Sequence, residues 1–143
     1  MYRRSAAGKL TLRTAELRGP NGIALSRDGC TLVVSNNDPA RPVWMTYPVR
    51  GDGILGPGRV LYDASRWTMR APGLPDGLKL DLADNVFGTG PGGVDVIAPD
   101  GTLLGLIETG VATGNVAWGD DGSVLYIAAE TRVLRVRTRT RRW

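Results

Sequence analysis

A seven-residue pattern occurs twice along this 143-residue chain. Pro20-Asn21-Gly22-Ile23-Ala24-Leu25-Ser26 is echoed 55 residues later by Pro75-Asp76-Gly77-Leu78-Lys79-Leu80-Asp81, and each copy opens a pair of short β-rich runs. A weaker third echo runs Asn115-Val116-Ala117-Trp118-Gly119, then Asp121-Gly122 and Val124-Leu125-Tyr126-Ile127. Aligned on the Asp-Gly turns, Asn115 falls opposite Gly22 rather than Asn21, so the third copy has lost the Pro-Asn/Asp-Gly and is displaced by one place. Units of about 40 to 55 residues, each made of four short strands, are the sequence signature of β-propeller blades. Such a unit cannot bury both of its faces alone and must stack on neighbours.

The strands themselves are legible between the turns. Residues 22–25 and 31–35 flank Ser26-Arg27-Asp28-Gly29, and Asp-Gly between apolar runs is a strong hairpin signal. Residues 43–49 and 59–62 follow, separated by the glycine-rich stretch 50–58. Residues 78–82 and 86–89 pair across Ala83-Asp84-Asn85, and 94–98 and 103–107 across Pro99-Asp100-Gly101-Thr102. Residues 116–118 and 124–128 flank 119–123, and 132–138 closes the chain. No window sustains an apolar period of 3.6, so the expected fold is all-β. The 20 Gly and 9 Pro supply the turns that so many short strands need. The reading is therefore one partial propeller domain over residues 1–143, with about three four-stranded blades at approximately 8–62, 74–109 and 113–140.

Composition removes most of the usual catalytic repertoire. There is no His, hence no Ser-His-Asp or Cys-His nucleophile, no imidazole base and no His-bound zinc. The single Cys30 permits neither an intrachain disulfide nor a Cys-x-x-Cys metal site, and a turn thiol with no nearby base is expected to be inert. Carboxylates, amides and hydroxyls remain. The net charge of +4 is concentrated at one end: residues 132–142 hold six arginines and no acid, leaving 12 basic against 14 acidic groups elsewhere. Those arginines alternate with apolar residues and lack interleaved aromatics, so they read as the wet face of a strand and not as a nucleic-acid surface. No segment approaches the roughly 20 apolar residues of a membrane span, and residues 5–13 supply no apolar core for a signal peptide. A cytoplasmic protein without nucleic-acid or membrane partners is expected.

The repeats also carry a family resemblance. Gly19-Pro20-Asn21-Gly22-Ile23-Ala24-Leu25-Ser26-Arg27-Asp28-Gly29 with Thr31-Leu32-Val33-Val34-Ser35 resembles the Pro-Asn-Gly segment of the SMP-30/gluconolactonase (regucalcin-like) family. Gly73-Leu74-Pro75-Asp76-Gly77-Leu78-Lys79-Leu80-Asp81 resembles its Pro-Asp-Gly segment, and Gly114-Asn115-Val116-Ala117-Trp118-Gly119 through Leu125-Tyr126-Ile127-Ala128 its closing blade. The three occur in the family's order and spacing. The resemblance implies a six-bladed propeller with one divalent metal ion in its central channel, hydrolysing lactones such as gluconolactone. It carries the metal-ligand role to Asn21 and Asp76, and the catalytic role of orienting or deprotonating the attacking water to Asp76. Oxygen donors suit Ca²⁺ or Mg²⁺, and Zn²⁺ or Mn²⁺ accept them. Hydrolysis by such a site needs no histidine.

The same tripeptides are also ordinary turn sequences, and Pro99-Asp100-Gly101 is an internal control that reads as a plain hairpin turn. Asn115, out of phase, is the weaker third candidate. Asn36-Asn37-Asp38 lacks acids at alternate positions and reads as a turn before Pro39, not as a calcium loop. Trp44, Trp67, Trp118 and Trp143 are expected to pack between blades. The family's remaining acidic ligand and the early-blade substrate contacts have no counterpart in this sequence, so the chain resembles the C-terminal half of a family member. Segment 8–13 resembles an outer strand whose blade is otherwise missing. The expected function is a metal-dependent lactone hydrolase completed by missing N-terminal blades or by a second copy in a homodimer. The alternative is a non-catalytic propeller fragment acting as a binding scaffold.

Overall fold

A computed structural model describes residues 1–142, and Trp143 lies outside the described residues. Among the described residues, thirteen strands form four antiparallel sheets, with one short helix between two of them. A ribbon pairs β1 (Tyr2–Arg4) with β2 (Leu10–Leu12). The first four-stranded sheet holds β3 (Pro20–Leu25), β4 (Thr31–Asn36), β5 (Val43–Pro48) and β6 (Arg59–Asp63), in that order. After the helix α1 (Ser65–Thr68) comes the second: β7 (Leu78–Leu80), β8 (Val86–Gly90), β9 (Gly93–Ile97) and β10 (Leu103–Glu108). The third is three-stranded, with β11 (Thr113–Gly119), β12 (Val124–Ala129) and β13 (Arg132–Arg137). This consecutive up-and-down order within each sheet is that of propeller blades, and the fold is a partial β-propeller. Segment 8–13 does not join the first four-stranded sheet. Its residues Leu10–Leu12 hydrogen-bond to Tyr2–Arg4, a strand too short and too charged to stand out in the sequence.

Side-chain alternation explains how the sheets stack. In β4 and β5, Val33 and Trp44 point to the second sheet and meet Leu78, Leu80, Val86 and Ile97. Their neighbours Val34, Val43, Met45 and Tyr47 point the other way, onto Leu17 and Met1 of the N-terminal segment. The second sheet turns Phe87 and Val94 towards Val116, Leu125 and Ile127 of the third. Trp118 meets Phe87 edge-on at 4.9 Å between ring centroids and donates Nε1–H to Leu80 O (2.9 Å). Trp44 is fully buried between the first two sheets. Trp67 instead sits at the surface end of α1, donating to Tyr62 Oη (2.9 Å) beneath the Arg66 and Arg70 guanidinium groups.

Tight interblade packing requires glycine at two positions of β8. A Cβ on Gly88 would lie 2.5 Å from Trp44 Nε1, and one on Gly90 would lie 2.5 Å from Asp95 Oδ2 and 2.7 Å from Trp44 Cη2. Asp95, paired with Gly88 across β8 and β9, is buried, and its Oδ2 finds no protein partner; nor does Trp44 Nε1.

Beyond β13 the chain does not trail into solvent. Thr138 N donates to Ser123 O (2.8 Å), Thr140 Oγ1 to Asp81 Oδ2 (2.9 Å), Leu82 N to Arg141 O (2.9 Å) and Arg142 N to Gly122 O (3.0 Å). The tail thus clasps the third sheet to the β7–β8 turn of the second. Among the described residues no helix is long and apolar enough to cross a membrane.

Candidate functional site at the channel mouth

The inner strands β3, β7 and β11 start at the same end of the molecule, and their first residues are stitched together by backbone bonds. Gly22 N donates to Asp76 O (3.1 Å), and Gly77 N donates to Gly114 O (2.9 Å). Each sheet therefore hands its glycine N–H to the residue before the equivalent position of the next sheet. This equates Asn21 with Asp76 and Gly114, and Gly22 with Gly77 and Asn115. The displacement of the third repeat is thus a structural fact: its counterpart of Asn21 and Asp76 is Gly114, which has no side chain to offer.

Close approach is the reason for the two glycines. A Cβ on Gly22 would lie 2.3 Å from Asp76 O, and one on Gly77 would lie 2.2 Å from Asn115 Oδ1. The second strand of each four-stranded sheet braces the arrangement with a hydroxyl. Ser35 Oγ accepts from Gly22 N (2.7 Å) and donates to Asp76 O, while Thr89 Oγ1 donates to Gly77 O (3.1 Å). In β3 a register shift between Pro20 and Ile23 marks a bulge at Asn21-Gly22, a device that re-aims side chains at the end of a strand.

Asp76 lines an open cleft of about 600 Å³ with Asn37, Gly73, Leu74, Gly114 and Glu130. Burial alone pushes its carboxyl above the ordinary 3.8. The internal control behaves in the opposite way. Asp100, in the same tripeptide, accepts from Thr102 N (2.9 Å), and that bond holds its carboxyl below the ordinary value. Identical tripeptides thus give one satisfied turn and one partly desolvated carboxylate, because Asp76 sits where three sheets converge and Asp100 sits at a solvent-facing tip.

Asn21 is exposed at the start of β3, beside Asp76 through the Gly22 bond, but is not among the residues walling the cleft. Asn115 is exposed and folds back on its own strand, accepting from Val116 N (2.9 Å) while covering Gly77. Asn36 is buried, accepting from Gly19 N (3.0 Å) and donating to Arg41 O (2.8 Å), and Asp38 Oδ1 accepts from Ala40 N (2.9 Å), as a turn requires. Asn37 and Glu130 are cleft residues that motif reasoning misses. A topological signal was available for Asn37: β4 runs antiparallel to β3, so its end returns to the mouth where β3 starts.

Two oxygen donors on adjacent inner strands suit part of a hard-cation sphere, with fewer than the six to eight ligands that calcium takes. Among the described residues no group of three or more His, Cys, Asp or Glu side chains comes together to hold a metal ion. Asn21 and Asp76 each carry an oxygen donor of the type such an ion takes, with Asp76 lining the cleft and Asn21 outside its walls.

Comparison with known proteins agrees with this architecture. The family profile for the SMP-30/Gluconolactonase/LRE-like region matches residues 1–131. A gluconolactonase of Zymomonas mobilis is 39% identical over 144 residues, covering 98% of this chain and 40% of that protein. A solved gluconolactonase from Xanthomonas campestris superposes with a TM-score of 0.80 at 30% identity, over 95% of this chain and 43% of its own. The calcium-binding protein regucalcin from Agrobacterium tumefaciens gives 0.71 at 26% identity, over 85% and 41%. The chain therefore spans less than half the length of each of these relatives. With the profile matched along nearly its whole length and the blade order preserved, it belongs to the SMP-30/gluconolactonase/LRE-like family.

Proposed function

We propose that this chain forms part of the channel of a metal-dependent lactone hydrolase, with Asn21 and Asp76 holding one divalent ion, calcium or zinc, and Asp76 also acting on the nucleophilic water. The observation that carries this reading is the state of Asp76: a carboxylate at the mouth of a channel, free of the turn bond that satisfies Asp100, and raised by burial. A raised carboxylate is a better proton acceptor near neutral pH than an ordinary one. The bound ion would polarise the lactone carbonyl. Asp76 would take a proton from water as its oxygen bonds to the carbonyl carbon; the ring C–O bond then breaks and the ring oxygen leaves protonated as the hydroxyl of the hydroxy acid. Asn21 would contribute a neutral oxygen without adding negative charge beside Asp76.

A partial ring leaves other positions of the channel to be supplied. The blades that complete it would come from a further N-terminal segment or from a second copy of this chain. A monomeric mass by light scattering at micromolar concentration would eliminate the second copy. The exposed thiol of Cys30 suits a cytoplasmic setting. The test of the site is calorimetric titration with Ca²⁺ and Zn²⁺, alongside gluconolactone turnover, in the wild-type chain and in Asp76→Ala. The proposal expects metal binding in the wild type, its loss in the variant, and metal-dependent turnover once the ring is complete. Metal affinity unchanged by Asp76→Ala would refute the site and leave a binding scaffold.

A further inference from the structure

We propose that the end of the channel opposite Asp76 is a binding site for a small oxyanion, a carboxylate or phosphate group held between Lys79 and Arg142. Lys79 stands three residues beyond Asp76 along the inner strand, about 10 Å at 3.3 Å per residue, and no described residue lines both this groove and the Asp76 cleft, so this site is distinct from the mouth. There the inner strands of all three sheets converge on a groove of about 320 Å³. Leu25, Leu80 and Ala117 give it apolar walls, Trp118 lines it, and Arg142 reaches in from the tail. The Trp118 indole is committed, since its one N–H is bound to Leu80 O at 2.9 Å. The polar heads left to meet a ligand are therefore one ammonium and one guanidinium.

Among the described residues neither cation is paired with a carboxylate. The one ion pair among the described residues is Arg41 to Glu16, at 3.4 Å. Lys79 Nζ has a single protein acceptor, Leu78 O at 3.0 Å, which leaves two N–H groups to donate. The acids of the neighbouring turns are already engaged. Asp81 is buried and accepts from Ala83 N, Asn85 N, Asn85 Nδ2 and Thr140 Oγ1, at 2.9, 2.9, 3.0 and 2.9 Å. Asp121 is held by Ser123, with Arg137 and Arg141 as its nearby cations.

Arg142 is placed by the fold, not by chance trailing of the chain end. Its backbone N is fixed to Gly122 O (3.0 Å), and its Cγ lies 3.0 Å from where a Cβ on Gly122 would stand. Two like charges between low-dielectric walls focus a positive field into the groove. A guanidinium fork matches the paired oxygens of a carboxylate or phosphate, and an ammonium adds a point charge. The groove's size suits an oxyanion with a short polar chain, not a polyanion.

The test is calorimetry and thermal unfolding at low ionic strength with inorganic phosphate or with gluconate, using sodium chloride at matched ionic strength as reference. Each oxyanion is expected to bind and to raise Tm above the chloride reference. Lys79→Gln and Arg142→Gln are each expected to weaken binding about tenfold or more. Tighter phosphate than gluconate supports a phosphate-bearing ligand, and the reverse order a carboxylate. Asp76→Ala is expected to leave oxyanion binding intact, which separates this site from the metal site whatever the fate of the latter. A Tm shift equal to that of chloride, an affinity unchanged in Arg142→Gln, or loss of binding in Asp76→Ala would overturn the proposal. Arg142 is exposed on the tail, so its variant remains informative even if Lys79→Gln unfolds.

Discussion

Raising the pH from 5 to 8 should destabilise this fold by about 2–3 kcal/mol through one carboxyl group, that of Asp95. Its side chain is wedged between the first two sheets against Gly90 and Trp44, 3% exposed, with Oδ2 lacking any protein donor. Burial pushes the carboxyl from the ordinary 3.8 up to about 7. Between those two values the unfolded chain releases its proton while the folded chain retains it, so the unfolded state binds fewer protons and stability falls as pH rises. The stabilisation is complete below about 3.8 and gone above about 7. At 1.36 kcal/mol per tenfold, the full difference between those two values is about 4 kcal/mol, of which about 2–3 kcal/mol falls between pH 5 and 8, reduced by whatever relaxation admits water to the site. For a domain whose total stability is on the order of 5–15 kcal/mol, that is a large fraction. The assay is urea unfolding followed by circular dichroism at pH 5, 6, 7 and 8, in wild type and in Asp95→Asn, which keeps the shape and removes the titration. The wild-type midpoint should fall across this range and that of the variant should stay nearly level, so that the variant is the more stable at pH 8. Parallel curves for the two proteins would refute the reasoning.

Three other perturbations follow from close contacts and shared bonds. Gly88→Ala places a methyl 2.5 Å from the buried Trp44 Nε1 and should cost about 1–3 kcal/mol by overpacking, seen as a lower Tm. Gly22→Ala puts its Cβ 2.3 Å from Asp76 O; it should separate β3 from the Asp76 backbone and weaken divalent-metal binding in calorimetry, even where the fold survives by circular dichroism. Asp81→Ala strips four donors of their acceptor, one of them Thr140, and should cost about 3 kcal/mol. It should also free the C-terminal tail, detectable as faster amide exchange at Leu82 and Arg142, whose N–H groups the clasp protects.

Much of the blade architecture was legible because its signals are local. Period-two alternation separates Val33 and Trp44 from Val34 and Val43, and Asp-Gly turns such as Asp28-Gly29, Asp100-Gly101 and Asp121-Gly122 punctuate the strands. The one-place displacement of the third repeat was likewise readable from turn alignment alone, and the Gly77-to-Gly114 bond gives it a meaning: the third inner strand presents no ligand side chain. Strand β1 was not legible, since three residues reading Tyr-Arg-Arg have no period to detect and owe their conformation to pairing with Leu10–Leu12. The tail arginines were half legible. The alternation in β13 is present, with Leu134 and Val136 turned to the core, whereas the return of residues 138–142 across the second sheet depends on partners such as Asp81, Leu82 and Gly122, distant in sequence.

The candidate site shows the same division. Sequence by itself determined that Asn21 and Asp76 stand at equivalent places in successive units, that glycine follows each, and that the residues of this chain contribute no imidazole. It separated Asp76 from Asp100 only by position in the repeat and by family resemblance, since both read Pro-Asp-Gly and both precede a strand-like run. Tertiary structure gives the two carboxyls different surroundings, placing Asp100 at a wet hairpin tip, where the Thr102 N–H satisfies it, and Asp76 at the convergence of three sheets, where burial raises it. It likewise decided which buried charges matter: Asp81 is surrounded by donors and Asp95 is not, although nothing in their immediate neighbours in sequence announces either. The physical reason is common to all three cases. Turn preference and alternation are properties of a few consecutive residues, whereas the solvation of a carboxylate is set by whichever strands the fold brings over it.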